Sequence, residues 1–181
     1  MTPVILLTDG FLANASEPWL LPKADELPGI TAEFRTDPQG FFPYLRNEET
    51  LARPWVKPGT PGLEHRIGGI EKDYLTGNIS YAPATHEQMV RVRHQKVARI
   101  NQDIPPTQVN GPEEGKLLVI GWGSTYGPSA AAVGDAQEKG HKVAHAHLRY
   151  LNPLPDDLGS VLAKYEKVLV CLLYTSDAAD E

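Results

Sequence analysis

The chain has 181 residues, a formal net charge of −6, and 41% hydrophobic and 22% charged residues. This length suits one domain or one and a half, and the composition is ordinary for a soluble globular protein. The negative charge argues against nucleic acid and anionic membranes as partners, because both require basic patches. No apolar run approaches the roughly 20 residues that span a bilayer, and no signal peptide is recognisable, so a cytoplasmic location is predicted. A single cysteine excludes an internal disulfide framework and a cysteine-based cluster site within the chain.

The first apolar run, Val4–Leu7, is typical of a strand that is buried on both faces of a parallel sheet. Asp9 and Gly10 follow in a turn. Ligands of open α/β sheets bind at the carboxyl ends of strands, which makes Asp9 and Gly10 candidate cofactor-binding residues. A central strand normally has partner strands nearby in sequence, and none is recognisable before the second half of the chain. Both ends of the chain are therefore expected to be truncated.

Residues 17–62 hold half of the sixteen prolines, interspersed with tryptophan, phenylalanine and tyrosine. Disordered linkers are poor in aromatic residues, so this composition favours order. The prediction is an extended strap that lies on a surface, with its rings anchored in pockets and its prolines limiting the entropy lost on ordering.

Two local patterns follow the strap. Glu64-His65-Arg66 offers a guanidinium that could bind a carboxylate or phosphate, although a salt-bridged loop is the favoured interpretation. His65 and Arg66 are nevertheless kept as candidate catalytic residues. Further on, Thr85-His-Glu-Gln has the pattern of a capping box, which predicts a helix over about residues 85–101 with Thr85 as its N-cap.

The last part of the chain alternates strands and short helices after a polar linker at residues 111–115. The expected strands are 116–122, 142–148 and 167–170, and the expected helices are 129–139 and 158–165. Such alternation with short loops predicts an α/β fold with a parallel sheet and right-handed crossovers.

The turn after the first of these strands reads Gly121-Trp-Gly-Ser-Thr-Tyr-Gly127. Glycines between a strand and a helix can let backbone amides approach a phosphate. However, the spacing departs from the dinucleotide-binding pattern G-x-G-x-x-G, and no acidic residue ends the next strand. A plain tight turn is therefore favoured over a dinucleotide site.

Three histidines in the next strand region suggest a metal cluster at first sight. His145 and His147 share one face of a strand at a period of two, whereas His141 falls in the turn before it. A zinc site needs three or four convergent ligands, and no carboxylate completes the set. The prediction is surface or interface histidines and no metal site.

Four segments carry a resemblance to a known family: PVILLTDGFLANASEPW, FPYLRNEETLARPWVKPGTPGLEHRIGGIEKDYLTGNISY, IPPTQVNGPEEGKLLVIGWGSTYG and HLRYLNPLPDDLGSVLAKYEKVLV. In this order they resemble the α subunit of 2-oxoglutarate:ferredoxin oxidoreductases, within the 2-oxoacid:acceptor oxidoreductase family of the thiamine-diphosphate superfamily. The resemblance covers about residues 1 to 170.

The resemblance implies four regions. Residues 1–20 would end a truncated pyrimidine-binding domain, and residues 21–115 would form the strap, turns and linking helix. Residues 116–170 would form an incomplete domain similar to the transketolase C-terminal domain. Residues 171–181 look like the translation of a sequencing adapter, and this non-native tail is expected to be unpacked beyond its first apolar residues.

The activity implied is the CoA-dependent oxidative decarboxylation of 2-oxoglutarate to succinyl-CoA with reduction of ferredoxin. The implied partner is a β subunit, and the implied cofactors are thiamine diphosphate, Mg²⁺ and a 4Fe–4S iron–sulfur cluster. These would be bound mainly by the partner and by regions outside this chain, so the chain alone is expected to hold none and to be inactive. Two alternatives stay open: an enzyme of the same family for pyruvate or another 2-oxoacid, and a non-enzymatic nucleotide-binding α/β module.

Overall fold

The computed structural model describes residues 2–16, 18 and 20–172. The described residues divide into two compact units, one formed by residues 2–3 and 20–99 and the other by residues 4–16, 18 and 100–172. The helices are α1 (Gly10–Asn14), α2 (Pro83–Ala98), α3 (Tyr126–Glu138) and α4 (Leu158–Leu162), and the strands are β1 (Val109–Asn110), β2 (Gly115–Trp122), β3 (Val143–Leu148) and β4 (Tyr165–Cys171). No helix in the described ranges is long and apolar enough to cross a bilayer.

The first unit consists of turns and extended segments followed by helix α2. Phe34 and Trp55 pair through a backbone bridge, and their ring centroids lie 5.6 Å apart. Tyr44 and Leu51, which lie within the predicted strap, are buried, and so is Leu63 just after it. The stretch before Phe34 is different, because the side chains of Leu20, Leu21 and Ile30 are 80–95% exposed. Anchoring within the unit is therefore confined to the later part of the strap.

Helix α2 begins earlier than the capping-box pattern predicts. Its first residue is Pro83, and Ala82 occupies the N-cap position. Proline suits the first helical position because its missing N–H would have no partner there. The prediction of Thr85 as N-cap was therefore wrong. Its hydroxyl instead accepts a hydrogen bond from Ser80 Oγ at 3.1 Å.

Glu71 ties the loop before α2 to the helix. Its two carboxylate oxygens lie 3.2 Å from Arg93 Nη1 and 2.7 Å from His86 Nδ1. The hydrogen bond from Arg93 is the largest cause of a pKa of Glu71 below its usual value, and the hydrogen bond from His86 is the second largest. Because the paired form is the charged form, this contact contributes stability that is lost only as the pH falls below the usual range of a carboxyl group.

The second unit is built on a four-stranded sheet with the order β1-β3-β2-β4. Strand β2 pairs in parallel with β3 and with β4, which confirms the predicted parallel core of an α/β fold. Strand β1, which was not predicted, pairs antiparallel with β3, so the complete sheet is mixed and the predicted parallel sheet accounts for three of its four strands. With only two residues, β1 carries no periodicity that a sequence pattern could reveal.

The sheet is covered on both faces, which explains the continuous apolar runs of its central strands. On one face Leu118, Ile120 and Ala146 pack in a buried cluster that includes Leu158 and Val161 of the α4 helix. On the other face Val119 and Val143 pack against Val133 of helix α3.

Residues Val4–Leu7 do not form the predicted buried strand. They have no regular secondary structure, and their side chains are 71–91% exposed. An apolar run becomes a buried strand only where other strands take up its hydrogen bonds and cover its side chains, and no described strand pairs with this segment. The pattern of a buried strand is therefore not realised by Val4–Leu7 in this chain, where the side chains stay exposed because no described neighbouring strand covers them.

Strand β4 extends to Cys171, which is partly exposed and pairs with Gly121 of β2. Leu172 follows outside the strand. The rest of the predicted non-native tail, residues 173–181, lies outside the described residues.

Asp157 joins the start of α4 to the segment that leads into β1. Its carboxylate accepts the Thr107 N–H at 2.9 and 3.0 Å and the Thr107 hydroxyl proton at 2.8 Å. Asp157→Ala is expected to lower the free energy of unfolding by about 1–3 kcal/mol, because a partly buried N–H and hydroxyl lose their acceptor. Urea denaturation measures the change. Asp135→Ala, at an exposed position of α3, is the matched control, with an expected change within about 0.5 kcal/mol. Equal losses in the two variants would contradict this role of Asp157.

Candidate functional site at the carboxyl edge of the sheet

The candidate site lies where strands β2 and β3 end side by side. The two strands are parallel neighbours, and β2 leads into α3 while β3 leads towards α4. Helices α3 and α4 cover opposite faces of the sheet, so the two connections diverge from adjacent strand ends. Ligands of open α/β sheets bind at such a switch point, because the diverging loops leave a crevice between them.

The turn after β2 leaves no room for a side chain at Gly121. A Cβ there would lie 2.7 Å from Thr125 Oγ1 and 2.8 Å from the carbonyl oxygen of Cys171. Gly123 then takes a positive φ of 64°, which L side chains rarely adopt, and a short 3₁₀ turn at Gly123–Thr125 leads into α3. Thr125 closes the turn by donating its hydroxyl proton to the Trp122 carbonyl at 2.8 Å. The predicted tight turn is confirmed.

Asp9 binds to this turn. Its Oδ2 accepts the backbone N–H of Ser124 at 3.0 Å, in the region where a phosphate would meet the turn of a dinucleotide-binding protein. The carboxylate thus supplies from within the chain the negative charge that the turn amide favours. This arrangement disfavours the alternative of a nucleotide-binding module that uses the glycine turn. Gly10 is the first residue of α1, and a Cβ added to it would lie in open space.

Two histidines and a tyrosine pack together beside the turn. His145 is 1% exposed and His147 is half-buried, with their ring centroids 6.0 Å apart. The Tyr126 ring at the start of α3 lies 5.7 Å from His145 and 5.1 Å, edge-on, from His147. The shared face of His145 and His147 is therefore confirmed. The prediction of a surface or interface position is wrong for His145, because strand β3 is covered by α3 on this face. His141 is exposed, as expected.

Burial controls the charge of this pair. It lowers the pKa of His145, and it is the largest cause of the lowered pKa of His147, to which the nearby His145 and Arg149 also contribute. A hydrogen bond with the Gly123 backbone acts in the opposite direction on His147. Among the described residues, neither ring nitrogen of His145 has a hydrogen-bond partner, and both are buried. The pair therefore favours neutral imidazoles, which can both donate and accept hydrogen bonds.

The site does not fit the inorganic cofactors that the resemblance implies. In the described part of the chain, no group of three or more histidine, cysteine, aspartate or glutamate side chains could hold a metal ion. An iron–sulfur cluster needs several cysteine thiolates, and the chain has one cysteine. The turn amide of Ser124, which could contact a diphosphate, is bound to Asp9.

The other candidates, His65 and Arg66, lie in the first unit. His65 Nδ1 donates to the Leu63 carbonyl at 2.7 Å, and its ring centroid lies 5.4 Å from that of Phe41. Arg66 is exposed, and within the described residues neither it nor Glu64 forms an ion pair. The favoured interpretation as a salt-bridged loop was therefore wrong. The catalytic role of His65 and Arg66 stays a prediction.

In the sequence, Asp9 and the glycine turn are separate features, and no pattern points to Tyr126. Asp9 and Ser124 are 115 residues apart. No spacing rule links positions at that separation, so only the fold reveals the contact.

Comparisons with known proteins confirm the resemblance. No protein-family model matches the chain. It is 53% identical over 169 residues to the 2-oxoglutarate oxidoreductase subunit KorA of Mycobacterium tuberculosis, covering 93% of this chain and 26% of that protein. It is 30% identical over 170 residues to the α subunit of 2-oxoacid:ferredoxin oxidoreductase 1 of Aeropyrum pernix, covering 91% of this chain and 26% of that subunit.

A solved structure agrees with these relatives. The 2-oxoglutarate:ferredoxin oxidoreductase from Magnetococcus marinus, with 2-oxoglutarate, coenzyme A and succinyl-CoA bound, matches with a TM-score of 0.73 and 32% identity. The match covers 82% of this chain and 26% of that chain. The chain thus spans about a quarter of the length of the proteins it matches.

Proposed function

We propose that the chain is a segment of the α subunit of a 2-oxoglutarate:ferredoxin oxidoreductase. The observation that carries this proposal is the 53% identity over 169 residues to a subunit named for 2-oxoglutarate. The bound 2-oxoglutarate, coenzyme A and succinyl-CoA of the Magnetococcus marinus enzyme support the same substrate and product. The reaction would convert 2-oxoglutarate and CoA to succinyl-CoA and CO₂ and pass the electrons to ferredoxin, with a β subunit as partner and a cytoplasmic location.

In this proposal the segment is a scaffold rather than the reacting centre. Thiamine diphosphate would supply carbanion stabilisation, and iron–sulfur chemistry would carry single electrons, in parts of the complex outside this chain. The second unit would be the domain similar to the transketolase C-terminal domain. This domain would contribute a rigid edge at the carboxyl ends of strands β2 and β3, because Asp9 fixes the Ser124 amide and Tyr126 covers the two histidines. Asp9 is proposed as a positioning residue of this edge.

The test compares the 181-residue chain with a complete α subunit paired with its β subunit. Acceptor reduction is followed with 2-oxoglutarate and CoA as substrates. We expect turnover by the pair and none by the chain alone, because the chain has neither cluster ligands nor a group of metal ligands among its described residues. Turnover by the chain alone would contradict the scaffold role.

A second arm replaces 2-oxoglutarate with pyruvate. The proposal expects the complete pair to have a higher kcat/KM for 2-oxoglutarate. A higher kcat/KM for pyruvate would be compatible with the proposed enzyme class but would refute 2-oxoglutarate as the substrate. The scaffold role and the substrate are thus tested by separate results.

A further inference from the structure

A cavity of about 530 Å³ lies within the first unit. The lining residues fall within the ranges 30–35, 40–47 and 50–55, which are turns and extended segments of the strap. The lining combines aromatic rings with cationic side chains: Phe41, Phe42, Trp55, Arg35, Arg46 and Arg53. Glu33 is the acidic residue among those lining the cavity, and no ion pair joins it to an arginine in the described part of the chain.

The three arginines differ in how their donors are used. Arg35 binds its own turn, donating from Nε to the Asp37 carbonyl at 2.8 Å and from Nη2 to the Gln39 carbonyl at 2.5 Å. Arg46 donates from Nη1 to the Leu51 carbonyl at 2.9 Å, but its Nε is buried without a hydrogen-bond partner among the described residues.

Within the described residues, Arg53 is held by a long hydrogen bond and by a contact with an aromatic ring. Its guanidinium lies 5.3 Å from the centroid of the Tyr44 ring, and its Nη1 reaches the Pro43 carbonyl at 3.5 Å. Neither Arg53 nor Arg46 pairs with a carboxylate in the described ranges.

The cationic charge here is concentrated and partly desolvated. Burial lowers the pKa of Arg46, and the nearby Arg53 lowers it further, while the tyrosines Tyr74 and Tyr44 act in the opposite direction. Lys96 of α2 belongs to the same cluster, because burial first and then Arg46 and Arg53 lower its pKa. Like charges brought together out of water disfavour one another, and a buried donor without an acceptor costs free energy. An anion in the cavity would relieve the repulsion between these cations.

We infer that this cavity binds a small anionic ligand whose carboxylate or phosphate group is held by Arg46 and Arg53 and whose flat or apolar body contacts Phe42 and Trp55. Guanidinium groups match the planar, multiply accepting geometry of both anions, and aromatic rings favour a flat or apolar neighbour. The inference is independent of the proposed function, because it uses only contacts within the first unit.

The test titrates the 181-residue chain with inorganic phosphate, phenyl phosphate and benzoate at constant ionic strength, using calorimetry and amide chemical shifts. Saturable binding with shifts at residues 40–55 is expected, and phenyl phosphate should bind more tightly than inorganic phosphate. Tighter binding of phenyl phosphate than of benzoate would assign a phosphate ligand, and the reverse would assign a carboxylate ligand.

Three variants sharpen the result. Arg46→Gln and Arg53→Gln are each expected to weaken binding at least about tenfold, since each removes a charged donor. Arg91→Gln is the control, because Arg91 is exposed on α2 and pairs with Glu87 at 2.7 Å. Thermal unfolding of each variant shows that it is folded, and Arg53→Gln decides the outcome if Arg46→Gln does not fold. No saturable binding below about 10 mM, or equal binding by all three variants, would overturn the inference.

Discussion

Gly121→Val is expected to unfold the second unit of the chain. A Cβ at this position would lie 2.7 Å from Thr125 Oγ1 and 2.8 Å from the Cys171 carbonyl oxygen, closer than real Cβ contacts. Strand β2 pairs with β3 on one side and β4 on the other, so its backbone cannot shift away without breaking one of these ladders. A branched side chain adds further atoms to the same space. We expect a loss of more than about 3 kcal/mol in the free energy of unfolding.

Urea denaturation followed by circular dichroism and by amide shifts of the second unit measures this effect. Gly134→Ala is the matched control, because Gly134 lies within helix α3 and nothing lies within 4 Å of its ideal Cβ. Alanine there is expected to be neutral or to stabilise by up to about 1 kcal/mol, since it favours the helix. If Gly121→Val unfolded at the same urea concentration as Gly134→Ala, the steric argument would be refuted.

Gly121 also shows what sequence patterns can and cannot predict. The strand, turn and helix around it follow from an apolar run, closely spaced glycines and a helical stretch that ends before Gly140, and the structure has them at nearly the predicted positions. The reason for a glycine at position 121 is different. It depends on the Thr125 hydroxyl in the turn and on the backbone carbonyl at position 171, in a strand that lies fifty residues further along the chain.

Local patterns failed where a neighbour in space decides the conformation. Val4–Leu7 has the composition of a buried strand, but no described strand pairs with it, and its side chains are exposed. Thr85 has the capping-box spacing, yet Pro83 starts the helix two residues earlier. In both cases the local pattern is compatible with the predicted element, but the contacts in the folded chain do not form it.

The candidate site was predictable in parts only. The period of two in strand β3 correctly places His145 and His147 on one face. Their burial under Tyr126 depends on how α3 crosses the sheet, and this is set by the packing of Val133 on Val119 and Val143. The same limit applies to Arg46 and Arg53, which are seven residues apart in an irregular segment without a period.

The second unit is expected to lose stability as the pH falls below about 6.5, and His145 is expected to carry much of this loss. Burial lowers the pKa of His145 below its usual value of 6.5, which applies to the unfolded chain. At a pH between the folded and the unfolded pKa of His145, the imidazole binds a proton in the unfolded state but not in the folded state. Stability is therefore fully present above about 6.5 and declines as the pH falls towards the folded pKa.

The surroundings of His145 support this direction. His147 also has a lowered pKa, and its own causes include the charges of His145 and Arg149, so protonation of one ring opposes protonation of the other. The aromatic neighbour is Tyr126, and no carboxylate of the described residues contributes to the pKa of either histidine. Glu71 and Asp73 in the first unit have lowered pKa values, so their stabilising effect is lost only below about 4.5. The two pH ranges are thus separate.

Urea midpoints of the second unit at pH 7.5, 6.5 and 5.5 test the prediction. His145→Leu replaces the imidazole with an uncharged side chain of similar size and should flatten the decline between pH 6.5 and 5.5, leaving the share that belongs to His147. His141→Gln removes an exposed histidine from the same unit and should keep the decline of the unchanged chain. If stability declined as steeply in His145→Leu as in the unchanged chain, groups other than His145 would cause the acid sensitivity. If the decline were flattened in His141→Gln, its cause would be the histidine in the turn before β3 rather than the one under Tyr126.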